Sequence, residues 1–194
     1  MAATKVQQVG IWIIAIVLTV GTIGGFVAIV LANDNNTQDA KNAQTSQDEY
    51  DAQRKAAAQT NADNSIALTG YSAEPFDASS VTTLQKEILV DGTGDEVKAS
   101  DSINASYFGW TSDGVIFDSS MKKDATADAP VTFPLSGVIK GWTDGLTGQR
   151  VGSTVKLTIP ADLAYGATGS GIIPANAPLV FIVTINSIED ATAQ

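Results

Sequence analysis

Asp118 directly follows Phe117, and Tyr165 stands in a glycine- and proline-rich stretch, Leu163 to Pro178, that also carries Ile172 and Ile173. On a strand, neighbours point to opposite faces, so Phe117 and Asp118 diverge unless the backbone bends. Apolar side chains on a long excursion loop point to a lid over an apolar cavity. Spacing alone also fits a second reading. Tyr107, Phe108, Trp110, Phe117, Phe133, Trp142, Tyr165 and Phe181 would then simply fill the space between a helix and a sheet.

The chemistry open to these groups is narrowed by what the sequence omits. The 194 residues include no histidine and no cysteine. That removes thiol nucleophiles, disulfides, thiolate or imidazole metal sites and the Ser-His-Asp triad. No side chain has an unperturbed pKa near neutrality. The formal charge of −10 makes the chain a poor binder of polyanions, so no nucleic-acid partner is expected. An Asp91-Gly92-Thr93-Gly94-Asp95 run lacks the spacing of a calcium or phosphate loop and reads as a turn.

Three regions must position the chemistry. From Val9 to Ala32 there are 24 residues without a charge, long enough as a helix to span a bilayer. Residues 1–32 are therefore read as an uncleaved transmembrane signal anchor, the alternative being a signal peptide cleaved at the small-residue site Val30-Leu31-Ala32. Lys5 before the span gives a slight bias to an N-in, single-pass topology with the C-terminal domain extracytoplasmic. Residues 33–70 hold no Leu, Ile, Val, Phe, Met or Trp before Ile66 and read as a polar, largely disordered tether. Helix formers between Gln47 and Gln59 allow a solvated, fraying helix there.

Residues 71–194 contain all six prolines and read as an α+β domain. Short apolar runs predict strands at 84–90, 103–111, 115–119, 131–133, 155–159 and 179–188, with a hairpin at Asp113-Gly114. Val138, Ile139, Trp142 and Leu146 fall on one face of a short helix. One helix laid on an antiparallel sheet is a stable layer arrangement.

Several runs are recognisable: Tyr107-Phe108-Gly109, Asp113-Gly114, Phe117-Asp118-Ser119-Ser120, Val138-Ile139-Lys140-Gly141-Trp142 and Gly148 to Gly152. Ala164-Tyr165-Gly166-Ala167-Thr168-Gly169, Gly171-Ile172-Ile173-Pro174 and Leu179-Val180-Phe181 follow in order. Over roughly Leu84 to Glu189 the chain resembles the FKBP-type peptidyl-prolyl isomerases. The resemblance implies a twisted antiparallel sheet wrapped around one short helix. It also implies an apolar pocket for a prolyl ring, with Trp142 as floor and Tyr107, Phe117, Val138, Ile139 and Phe181 as walls. Tyr165 and Ile173 would come from a flap, with the Tyr165 hydroxyl and the Ile139 N–H as donors and Asp118 at the rim.

The catalytic set implied is thus Tyr165, Asp118, Phe117 and Trp142, with Tyr107, Val131, Val138, Ile139, Ile173 and Phe181 binding substrate. The implied partners are proline-containing polypeptides outside the cytoplasm, and the bilayer through the N-terminal helix. No metal or cofactor is expected, because rotation about an amide breaks no bond. The departures fall at the rim. The flap is shorter than the common form, with Ser170 where a histidine often sits. The loop from Ser119 to Ala129 is longer, and Val131 occupies an often aromatic position. Isomerase activity with only weak binding of macrolide inhibitors is expected. The alternative is a non-catalytic module of the same fold, acting as a membrane-tethered chaperone or scaffold.

Overall fold

The computed structural model describes residues 37–189. Within them the short apolar runs become six strands: β1 (Gln85–Val90), β2 (Ser102–Trp110), β3 (Ile116–Ser119), β4 (Val131–Pro134), β5 (Thr154–Ile159) and β6 (Leu179–Glu189). All pairings are antiparallel, in the order β1-β5-β6-β2-β3. The strand β4 shares an edge of β2 with β3, pairing at Ser102–Ala105 while β3 pairs at Phe108–Trp110. The Asp113-Gly114 signal produces the β2–β3 turn. There Gly114 takes a φ of +83°, and its N–H donates to the Thr111 carbonyl at 2.9 Å.

Alternation along the strands divides the sheet into two packed faces. On one face Val155, Leu157 and Ile159 of β5 are fully buried, and the helix α2 (Lys140–Leu146) buries Trp142 and Leu146. On the other, Phe108 and Trp110 stack with ring centroids 5.1 Å apart beside Val180 and Ile182. The antiparallel sheet with a short helix agrees with the expected family architecture.

A longer helix precedes the sheet. The helix α1 (Thr37–Asn64) forms over much of the segment read from the sequence as a disordered tether ending at Gly70. Its alanine-rich, straight-chain composition favours helix without needing an apolar face. From Asp48 onward the chain belongs to the same compact unit as the sheet. Ala62, Ser65 and Leu68 are buried. Leu68 joins the Phe108–Trp110 cluster, with Tyr71, Ala73 and Phe76 packed against it. Burying a leucine there contributes about 1.5–3 kcal/mol. The Trp110 indole N–H donates to the Glu74 carbonyl at 2.9 Å and pins this strap to the sheet. The folded unit therefore begins before Tyr71.

The apolar stretch Val9–Ala32 lies outside the described residues. Among the described residues no helix is long and apolar enough to cross a membrane.

Candidate functional site

The geometry of the site begins with a backbone irregularity. Trp110 pairs with Ile116, but Gly109 pairs with Asp118, so β3 carries one extra residue between those pairs, at Phe117. A bulge of this kind re-aims side chains, the bend that adjacent inward-facing Phe117 and Asp118 require. Phe117 is buried, and its ring meets Phe181 edge-on at 5.4 Å. Asp118 turns back to Tyr107, whose hydroxyl donates to Asp118 Oδ2 at 2.5 Å.

Gly109 permits that ring contact. A Cβ added there would lie 2.5 Å from Phe181 Cε1 and 2.6 Å from Phe117 Cζ, closer than real atoms approach. Only a residue without a side chain lets two rings meet over this point of β2.

Trp142 stands at the centre of an aromatic cluster. Its ring lies edge-on to Tyr107 at 5.4 Å, Phe133 at 5.2 Å and Phe181 at 5.4 Å, and Tyr107 meets Phe133 at 5.4 Å. Such pairs each add about 0.5–1.5 kcal/mol beyond area burial. The buried indole N–H of Trp142 has no acceptor among the described residues. Phe133 is a ring of this cluster that the implied substrate-binding set does not include. Val131, which that set does include, shares a strand face with Phe133 and is half-buried. The signal for Phe133 was its membership of the aromatic set.

Val138 and Ile139 lie half-buried at the start of α2. Ile139 is the residue that precedes the first helical turn, and its carbonyl accepts from Trp142 N–H at 2.9 Å. Its own N–H has no protein acceptor among the described residues, as helix geometry allows for the first donors. Ile173 is buried in a tight turn, exchanging two backbone hydrogen bonds with Ser170 at 2.8 and 3.0 Å.

Tyr165 belongs to the same loop. Burial, reinforced by the negative charge of Asp118, pushes its hydroxyl up to about 12. Burial and the adjoining Asp118 also push Tyr107 well above the ordinary phenol range. The Tyr165 hydroxyl has no acceptor among the described residues, unlike that of Tyr107. Tyr107, Phe117, Asp118, Trp142 and Phe181 are thus brought together through ring contacts and one hydrogen bond, with Tyr165 close enough to sense Asp118. No group of three or more metal-ligating side chains occurs among the described residues.

Two further residues reach Asp118 that the sequence reading did not single out. Asn61 Nδ2 donates to Asp118 Oδ1 at 2.8 Å, and Lys122 Nζ lies 3.4 Å from the same oxygen. Neither belongs to a motif, and no local spacing pairs Asn61 with a site 57 residues away.

Residues 94–186 match the family described as FKBP-type peptidyl-prolyl cis-trans isomerase. Over 110 residues the chain is 46% identical to the FKBP-type peptidyl-prolyl cis-trans isomerase FkpA of Aeromonas hydrophila, covering 57% of this chain and 40% of that protein. Over 131 residues it is 36% identical to the peptidyl-prolyl cis-trans isomerase Mip of Coxiella burnetii, covering 66% and 55% respectively. It is also 40% identical over 100 residues to the FK506-binding protein of Neisseria meningitidis serogroup A, covering 51% of this chain and 90% of that one. The chain spans about 40% of the length of the FkpA relatives. Since the match takes in nine-tenths of the smaller Neisseria protein, the chain belongs to the FKBP-type peptidyl-prolyl cis-trans isomerase family.

Proposed function

We propose that this chain catalyses cis–trans isomerisation of X–Pro bonds in proline-containing polypeptides. The observation that carries the reading is the aromatic cluster around Trp142, with the Ile139 N–H and the Tyr165 hydroxyl both unpaired among the described residues. A prolyl ring seats against Trp142 and is desolvated by Tyr107, Phe117, Val138 and Phe181, with Val131 and Ile173 at the margins.

The reaction needs no more than this. Rotation must break amide resonance, against a barrier of about 18–20 kcal/mol. The twisted amide separates less charge than the planar one, so apolar walls disfavour the planar state more. Donors aimed at the rotated carbonyl add stabilisation made only in the transition state. Tyr165 and the Ile139 N–H take that role. Asp118 holds the Tyr107 wall in place by accepting its hydroxyl hydrogen bond.

The test is kcat/KM for a short X–Pro peptide against pH. Because the Tyr165 proton is held to about 12, its hydroxyl is a neutral donor across the working range. The profile should show no alkaline limb from this group up to about pH 10. Tyr165→Phe should lower kcat/KM by at most about tenfold, the worth of one hydrogen bond. The same shifts govern stability. Unfolded tyrosines ionise near pH 10, whereas folded Tyr107 and Tyr165 keep their protons higher. Above about pH 10 the unfolded state therefore binds fewer protons, and stability falls as pH rises. A kcat/KM step between pH 6 and 9 that Tyr165→Phe abolishes would contradict the assignment.

Anchoring to a bilayer and extracytoplasmic clients form part of the same proposal. Its support is the uncharged run Val9–Ala32, about 36 Å long as a helix against a hydrocarbon core of about 30 Å. Full-length protein should remain with membranes through a carbonate wash, and release into the supernatant would defeat the idea. Binding of FK506-type macrolides should be weak, since the short flap and Val131 alter the rim.

A further inference from the structure

We propose that Asn61, in the last turn of α1, is a positioning residue of the isomerase site that holds the Asp118 carboxylate at the rim. The inference rests on the isomerase reading above. Three observations carry it.

The first is the bonding of the Asn61 amide, which is used at both ends. Its Nδ2 donates to Asp118 Oδ1 at 2.8 Å and reaches the Phe117 carbonyl at 3.4 Å. Its Oδ1 accepts from Lys122 Nζ at 2.8 Å. An amide fixed by a carboxylate on one side and an ammonium on the other has one orientation only. Lys122 also donates to Ser65 Oγ at 2.9 Å, so the last turns of α1 and the loop after β3 form one network.

The second is where that network leads. Asp118 Oδ1 takes Asn61 and the Ser119 N–H, while Oδ2 takes the Tyr107 hydroxyl. A continuous chain of bonds therefore runs from α1 through Asp118 to an aromatic ring packed on Trp142.

The third is independent of hydrogen bonding. One turn earlier, Ala58 faces the flap: a Cβ added to Gly171 would sit 2.7 Å from Ala58 Cβ. Positions 58 and 61 share a helix face, so α1 borders the site at both its flap and its rim.

Substituting Asn61 by aspartate separates positioning from mere packing. A second carboxylate beside Asp118 makes the two compete for a single proton. The other ionisable groups facing Asp118 are Tyr107 on β2, Lys122 in the loop after β3 and Tyr165 in the flap, with Asp128 acting on Tyr107. Among them only Lys122 opposes the new charge.

The experiment uses the full chain in detergent, with kcat/KM for an X–Pro peptide followed against pH. Asn61→Ala should lower kcat/KM about three- to tenfold with the fold intact by circular dichroism. Asn61→Asp should gain an acid limb beginning about one to two units higher than any in wild type. Gln59→Ala, which removes an exposed bond to Asp63 on the same helix, should leave both unchanged. Wild-type kcat/KM in Asn61→Ala, or an Asn61→Asp profile shaped like wild type, overturns the proposal. If Asn61→Ala does not fold, the Asn61→Asp profile decides. A wild-type chain without isomerase activity would instead overturn the proposed function, and NMR then decides the present point alone. The Asn61 side-chain amide should be shifted and protected in wild type and lose both features in Asp118→Ala. An amide indifferent to that change would sink the proposal.

Discussion

Trp142→Ala is expected to destabilise the domain by about 3–5 kcal/mol and to lower kcat/KM by at least about tenfold. The indole is buried and meets three rings edge-on, Tyr107, Phe133 and Phe181, at 5.2–5.4 Å. Truncation removes those pairs and leaves a cavity among rigid rings that cannot close in. Small domains hold only about 5–15 kcal/mol in total, so thermal unfolding must be followed beside the rate. Trp142→Leu restores part of the apolar volume and separates the two effects: stability should partly recover, whereas activity should not. Full activity in a folded Trp142→Leu chain would mean that the prolyl ring sits elsewhere.

Gly109→Ala should cost about 1–3 kcal/mol, a large effect for one methyl group. The new Cβ must displace Phe117 and Phe181, at 2.6 and 2.5 Å, and both rings are packed in the core. Phe117 precedes Asp118 at the β3 bulge, so pushing it aside also moves the rim carboxylate. A fall in melting temperature together with a drop in kcat/KM of about tenfold is the expected pair. Unchanged values for both would show that the rings have room the structure does not contain.

Strands and turn were legible because their signals are local. Alternation at Val155, Leu157 and Ile159 marks a half-buried strand, and those three residues are indeed fully buried. Asp113-Gly114 marks a hairpin, and the glycine adopts the positive φ that such turns favour. Trp142 and Leu146 mark a helix face, and both are buried. The end of α1 was not legible, and for a physical reason. Its docking face is made of Ala58, Asn61 and Ala62, continued by Ser65 just beyond the helix, small or polar residues that give no apolar periodicity. What holds it is a network among Asn61, Asp118, Lys122 and Ser65, joining residues up to 61 positions apart. That Phe133 packs against Trp142 likewise depends on how far β4 reaches along β2, which residue type does not encode.

The central claim is that the chain rotates X–Pro bonds rather than only holding them. NMR exchange spectroscopy on a short X–Pro peptide with a small fraction of the full chain tests both at once. Uncatalysed interconversion takes tens to hundreds of seconds, too slow for cross-peaks between cis and trans proline signals. The account predicts that such cross-peaks appear on adding protein and weaken with Trp142→Leu. Peptide shifts that report binding, without cis–trans cross-peaks, would contradict it and identify a binding module instead.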